Sequence, residues 1–252
     1  MTRRMLIIAN PGEIGADNYC EGVNQDVTQY KGFFLSNLGG AWEPEEIEVL
    51  VCPYAFQVDA ALKKLTLADY SMVVFCGHGY SRKSGATMVE LRANCDYDSI
   101  KFNQGARKHT VILDCCRAIY EPIFESSQER YDLKDSMEHS TARNQARKRF
   151  ENAVQSCPPG LVILYACSIG ETAGDDEIKG GVYSHALRSA AIGWGKATTG
   201  VEAASVVQVH NSAAQIVCQE TGGHQNPQIT KPRSVPYFPF CVAENRKPYL
   251  YG

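Results

Sequence analysis

The chain has 252 residues, 44% of them hydrophobic, and a formal net charge of −3. That length admits one large or two small domains around a sizeable core, and the slight acidity gives no footing to nucleic acid or an anionic membrane as partner. The opening MTRRMLIIANPGE holds only a four-residue apolar run, too short for a signal peptide or a membrane span, so a cytoplasmic protein with reduced cysteines is expected.

Short apolar runs punctuate the chain at 5–10 (MLIIAN), 47–52 (IEVLVC), 71–76 (SMVVFC), 110–115 (TVILDC), 161–167 (LVILYAC) and 237–243 (YFPFCVA). Most are too continuous for strands with one wet face and read as strands covered on both sides. Helical stripes lie between many of them: Val23, Val27, Tyr30, Phe34 and Leu38; then Ala142, Ala146, Phe150 and Ala153. Tyr183, Leu187, Ala190 and Trp194 form a third, and Ala203, Val206, Val207, Ala213 and Val217 a fourth, with His210 in its gap. The alternation predicts an α/β/α sandwich: a mostly parallel central sheet of about six strands with helices on both faces. The first strand opens at about residue 5, so no prodomain is expected ahead of the fold.

Residues 125–151 carry twelve charged side chains, a density that excludes a core segment. They predict a surface connection followed by an exposed helix from about Ser140. The resulting division is a single domain over 1–252, with a larger half at 1–118, a charged connection at 119–158 and a smaller half at 159–252.

In an open parallel sheet, reactive groups collect at the carboxyl ends of the strands. Two such ends stand out. VVFCGHGY places His78 between two glycines just after a strand, and VILDCCR ends the next strand 38 residues later. GATMVELRANCDYDSIKF, between them, has room for a small hairpin, so both ends can lie on neighbouring strands. A Cys–His nucleophile pair follows. Side chains alternate along a strand, so Asp114 and Cys116 share one side and Cys115 takes the other. Cys116 is the later and more open thiol; Cys115 is expected to pack as a small apolar residue beneath a helix. Asp114 is expected beside the nucleophile, facing a cationic substrate group.

FCGHG (75–79), ILDCCR (112–117), YACSIGETAGD (165–175), GGVYSHAL (180–187) and QNPQI (225–229) together resemble the caspase-fold cysteine peptidases. They are more similar to metacaspases and bacterial caspase-like proteins than to animal caspases. The resemblance implies a thiol hydrolase acting on proteins or peptides by acyl transfer. It makes Cys116 the nucleophile, His78 the acid–base and the backbone N–H groups of Gly79 and Cys116 the oxyanion donors. Asp114 stands where metacaspases that cleave after Arg or Lys have aspartate, so a basic P1 residue is implied, Arg over Lys. Ser168 would line the same S1 pocket. The acidic pair common after the Cys-Ser of such enzymes is replaced by Ile169-Gly170, leaving Glu171 or Asp175 to supply a second charge.

The resemblance leaves the activation trigger open among a partner protein, calcium and self-cleavage. NCDYD (94–98) offers two carboxylates to calcium, although surface aspartate pairs are ordinary. Arg147, Lys148 and Arg149 are the candidate self-cleavage sites, and the same residues also suit the polar face of a helix. The sequence itself calls for no cofactor. No Cys-x-x-Cys occurs, so structural zinc is not expected, and GEIGADNYCEG departs from a dinucleotide-binding glycine pattern. The histidines at 109, 139, 210 and 224 belong to no motif, and His185, in YSHALR, is expected to pack or cap rather than catalyse. Two alternatives stand beside the basic-specific peptidase: a non-catalytic interaction module on the same fold, and a caspase-like peptidase of different P1 preference.

Overall fold

A computed structural model of the chain describes residues 1–16, 18–119, 141–199 and 202–243. In chain order the elements are β1 (Arg3–Asn10), α1 (Gly22–Leu35), β2 (Ile47–Val51), α2 (Ala55–Leu65), β3 (Tyr70–Gly77), β4 (Gly79–Ser81), β5 (Thr87–Glu90), β6 (Asp96–Asp98) and β7 (Lys108–Asp114). The second half contains α3 (Thr141–Ser156), β8 (Gly160–Tyr165), β9 (Asp175–Asp176), β10 (Gly180–Gly181), α4 (Val182–Ala197), β11 (Ala203–Ser205), α5 (Val206–Glu220), β12 (Gln228–Thr230) and β13 (Pro239–Val242).

Six strands form the central sheet in the order β12-β8-β7-β3-β1-β2, parallel throughout except for β12, which runs antiparallel to β8. The apolar runs are continuous because the sheet is buried on both faces. Met5, Ile7, Met72, Val74, Ile112 and Leu164 point into a core shared with α1, α3, α4 and α5. Their neighbours Leu6, Ile8, Val73, Phe75, Val111 and Leu113 point the other way, against α2 and the small antiparallel sheet β4-β5-β6. No helix among the described residues is long and apolar enough to cross a membrane.

The structure corrects three readings of the sequence. The run at 237–243 is not in the central sheet; its β13 pairs with β11 in a separate two-stranded ladder. The sixth central strand is β12, a polar edge strand whose Gln228 and Thr230 are exposed, so it has no apolar run to betray it. α3 is not simply exposed: Ala146, Phe150 and Val154 enter the core, and Arg143 is buried with them. Most of the charged connection, 120–140, lies outside the described residues, as does His139.

Arg143 shows how α3 is fastened. Its guanidinium donates to the carbonyl oxygens of Leu35 (2.6 Å) and Trp42 (2.5 Å) and to the Glu43 carboxylate (3.1 Å). Those carbonyls lie at the end of α1 and in the turn that follows it. Removing the guanidinium leaves buried acceptors unsatisfied. Arg143→Ala is expected to destabilise the fold by about 2–4 kcal/mol in urea denaturation, with the slope of the transition unchanged.

Candidate active site

His78 is the single residue between β3 and β4, where the chain leaves the central sheet and enters the small one. β3 and β7 are in parallel register, with Cys76 opposite Asp114. Carried two steps further, that register sets His78 against Cys116. Gly79, next in line, packs on Cys115: a Cβ there would lie 2.7 Å from the Cys115 sulfur. Only glycine lets β4 sit so close.

This contact also distinguishes the two adjacent thiols. Cys115 points into the α2-side core, 2% exposed, and burial pushes its thiol well above the ordinary range. It packs against β4 through Gly79, within the core that α2 also lines. Cys116 is half-buried on the opposite side. Its sulfur accepts the Ala173 N–H at 3.3 Å and lies 3.6 Å from the Ala173 carbonyl oxygen. Burial raises the Cys116 thiol, and the Ala173 N–H pulls it back down. Arg117 anchors the chain after it. Its guanidinium lies over the Tyr165 ring and donates to Thr87 Oγ1 and the Cys167 carbonyl, while its backbone pairs with Gly170 and Glu171.

Asp114 is 5% exposed and reaches toward α4, where Oδ2 accepts the Ser184 N–H at 2.9 Å. Asp26, from α1, lies beside it at 1% exposure, accepting the Gly181 N–H at 2.9 Å and pairing with Arg188 at 3.2 Å. Gly181 separates the two carboxylates; a Cβ on it would come within 2.5 Å of Asp114 and 3.0 Å of Asp26. Burial pushes Asp114 up to about 6 against the pull of Ser184 and Arg188. Burial and then Asp114 push Asp26 well up. Asp26 is a functional candidate that the sequence hid, because it sits inside a helix whose neighbours read as a plain apolar stripe.

The other predicted pocket residues divide. Asp175, in β9, accepts the Gly22 N–H at 3.1 Å and is raised by burial, with His78 close enough to pull it down. Glu171 is spent on structure: its carboxylate accepts the Ser168 N–H and both the backbone and side-chain N–H groups of Asn226. Ser168 belongs to the same clamp and donates to the Asn226 carbonyl. Cys20 is a further residue of the site, its sulfur 3.8 and 4.0 Å from the two ring nitrogens of His78. Burial and then Asp175 push that thiol up to about 11, so it stays protonated. Nothing in the sequence singled it out beyond its place in the loop after β1.

Two remaining candidates lie elsewhere. Arg147, Lys148 and Arg149 sit inside α3. Arg147 pairs with Glu46 at 2.7 Å and with Glu151 at 3.1 Å, and Arg149 donates to the Ala243 carbonyl. Asp96 and Asp98 of NCDYD are engaged by Tyr80 Oη and the Ile100 N–H. Among the described residues no group of three His, Cys, Asp or Glu side chains is placed to hold a metal ion. Three of the remaining histidines have structural partners: His109 bonds Ser71 and Phe102, His210 bonds Tyr183, and His185 lies near Ser189, while His224 is exposed.

A thiol and an imidazole at the carboxyl ends of neighbouring parallel strands, inside an α/β/α sandwich, define a caspase-fold cysteine peptidase. The sequence model of the caspase domain family matches residues 2–238, and the chain belongs to that family. The fold is similar to the crystal structure of caspase-1 from Spodoptera frugiperda, with a TM-score of 0.56 at 12% identity, covering 96% of this chain and 89% of the insect one. Among curated proteins none matches the chain.

The buried aspartate has a consequence for stability. In the unfolded chain Asp114 ionises at an ordinary carboxylate pKa, and in the folded one at about 6. The folded state therefore favours the protonated form, and stability is lost as pH rises from about 4 through 6. Asp114→Asn keeps an acceptor for the Ser184 N–H and removes the charge. Chemical denaturation is expected to show the variant more stable than wild type by about 1–3 kcal/mol at pH 7.5, with no gain at pH 4.

Proposed function

We propose that this peptidase cleaves after basic P1 residues, Arg in preference to Lys, with Cys116 as nucleophile and His78 as acid–base. His78 takes the Cys116 proton and the thiolate attacks the peptide carbonyl. The acyl-enzyme forms as the proton passes to the leaving amine, and His78 then activates water to release the acid. Gly79 suits the role of oxyanion donor. Its partner in the β4–β5 register is Val89, and the bonds from Glu90 N–H to the His78 carbonyl and from Arg82 N–H to the Ala86 carbonyl fix which pairs exchange hydrogen bonds. The alternation turns the Gly79 N–H away from β5 and leaves it for the substrate. The Cys116 N–H is the second donor.

The observation that carries the P1 preference is a shortage of positive charge. Asp114 and Asp175 both border the reacting pair, and both are pushed up by burial. Each is held by a backbone N–H, and the guanidinium of Arg188 is committed to Asp26. A P1 guanidinium supplies the missing cation with charge-assisted hydrogen bonds, whereas a P1 carboxylate adds a third like charge. Of the two residues expected to complete the pocket, Asp175 is the one free to serve, since Glu171 closes the loop onto Asn226. Activation by self-cleavage within 147–149 would require α3 to unwind and the Arg147–Glu46 pair to break, which places it behind a partner protein as the trigger.

A fluorogenic peptide series varied at P1 tests this reading. Turnover is expected for Arg above Lys and none for Asp; a profile led by Asp or a small neutral residue would overturn the preference. Asp175→Asn is expected to raise KM for Arg substrates about tenfold, the loss of one charge-assisted contact. Cys116→Ala and His78→Ala should each lower kcat at least about a thousandfold, since the pair acts as a unit. Cys115→Ala should stay active at a cost of about 1 kcal/mol in stability. An active Cys116→Ala beside an inactive Cys115→Ala would reverse the assignment.

A further inference from the structure

His78 has a charged neighbour that no motif announced. The β4–β5 ladder pairs Gly79 with Val89, Tyr80 with Met88 and Ser81 with Thr87. One step back along it, the Glu90 N–H donates to the His78 carbonyl at 3.0 Å, so His78 and Glu90 stand directly opposite each other. Opposed residues of an antiparallel pair share a face, with their Cβ atoms about 4.5–5.5 Å apart. The β5–β6 ladder then pairs Glu90 with Asp96. A row His78–Glu90–Asp96 thus crosses the three strands of the small sheet. Its outer member is already occupied, because Asp96 accepts the Tyr80 hydroxyl at 2.6 Å.

Glu90 is well held. Its carbonyl accepts the Asn10 side-chain amide at 2.8 Å, which ties the end of β5 to the end of β1. Burial pushes its carboxyl up, and the largest pull in the other direction comes from His78. No Lys or Arg forms an ion pair with it among the described residues. The other groups near His78 are the thiol of Cys20 and the carboxylate of Asp175, with Cys116 close to Cys20 and Glu13 close to Glu90. Asp175 is bound to the Gly22 N–H on the far side of the cleft, and its own titration is governed by burial, Gly22 and Asp176 before His78. Among the described residues only Glu90 lies opposite His78 in a hydrogen-bonded ladder.

We propose that Glu90 is the positioning residue of this active site, a carboxylate that holds the His78 ring and stabilises the imidazolium formed when the ring takes the proton of Cys116. Glu90 stays ionised throughout. The proton moves from Cys116 sulfur to His78 and then to the leaving amine, and the carboxylate lowers the energy of the state in between. The inference rests on the reading of His78 as acid–base.

The test is steady-state kinetics on an Arg-P1 peptide for Glu90→Gln, Glu90→Asp and Asp96→Asn, with His78→Ala in the same assay and melting midpoints for all. Glu90→Gln preserves shape and removes charge, so kcat should fall about 10–100-fold with KM within twofold of wild type. Glu90→Asp restores the charge and should recover part of that loss. Asp96→Asn, at the outer end of the row, should change kcat less than threefold. A Glu90→Gln enzyme with kcat within threefold of wild type would overturn the proposal. So would a loss that Glu90→Asp does not relieve and that falls in step with the melting midpoint, since that marks a merely structural role. Should His78→Ala itself stay active, the acid–base reading fails, an outcome separate from a silent Glu90→Gln.

Discussion

The parallel register of β3 and β7 is the constraint on which the site depends. It sets Cys76 opposite Asp114, and so brings the residues two steps beyond each of them, His78 and Cys116, to one edge of the sheet. Core packing fixes that register from both faces at once. Ile112 fills the core on the α1 side, while Val111 and Leu113 fill the one on the α2 side. A slip of one residue would turn every one of these side chains to the opposite core and bring Cys115 to the cleft. Which of the two thiols reaches the cleft, and so which is proposed as nucleophile, is therefore decided by hydrophobic burial along the strand.

The small sheet β4-β5-β6 extends the same logic past the end of β3. Gly79 accepts the Cys115 sulfur against its backbone, which locks β4 onto the strand that leads to Cys116. With β4 fixed, its ladder to β5 decides what stands opposite His78 and which N–H groups face the cleft. The imidazole, the Gly79 N–H proposed as oxyanion donor and the neighbouring carboxylate are thus set by one hairpin register rather than by three independent loops. Groups held on paired strands keep their geometry better than groups on free loops, which suits chemistry that tolerates little misplacement.

Much of this was legible in the sequence because it follows from period and punctuation. Five of the six central strands were visible as apolar runs, and His78, Asp114 and Cys116 stood out through their places after such runs. What stayed hidden had a different physical origin. β12 is polar on both exposed positions and is a strand only because β8 needs an edge partner. Asp26 occupies a buried helical position normally filled by an apolar residue, and its reason for being there, Arg188, is 162 residues away. Cys20 and Glu90 meet His78 through tertiary placement and cross-strand register, and neither leaves a trace in local composition. Conversely, Glu171 looked like a pocket acid in the sequence, and its clamp on Asn226 could be seen only in three dimensions.

The two buried aspartates at the floor of the cleft differ in what compensates them, and the difference sets their roles. Asp26 pairs directly with the Arg188 guanidinium, although burial and Asp114 still hold its carboxyl well above the ordinary range. Asp114 instead meets the first turn of α4, accepting an N–H there at the positive end of the helix, and Arg188 acts on it only from a distance. That is enough to hold an ionised carboxylate in place near neutral pH but not enough to cancel it. The remainder, together with Asp175, is what a cationic side chain entering beside Cys116 would feel. Had the fold placed Arg188 on Asp114 rather than on Asp26, the cleft would be more stable and electrostatically mute. The raised titration of Asp114 expresses that incomplete compensation, and the same shortfall is the basis of the proposed preference for a basic side chain.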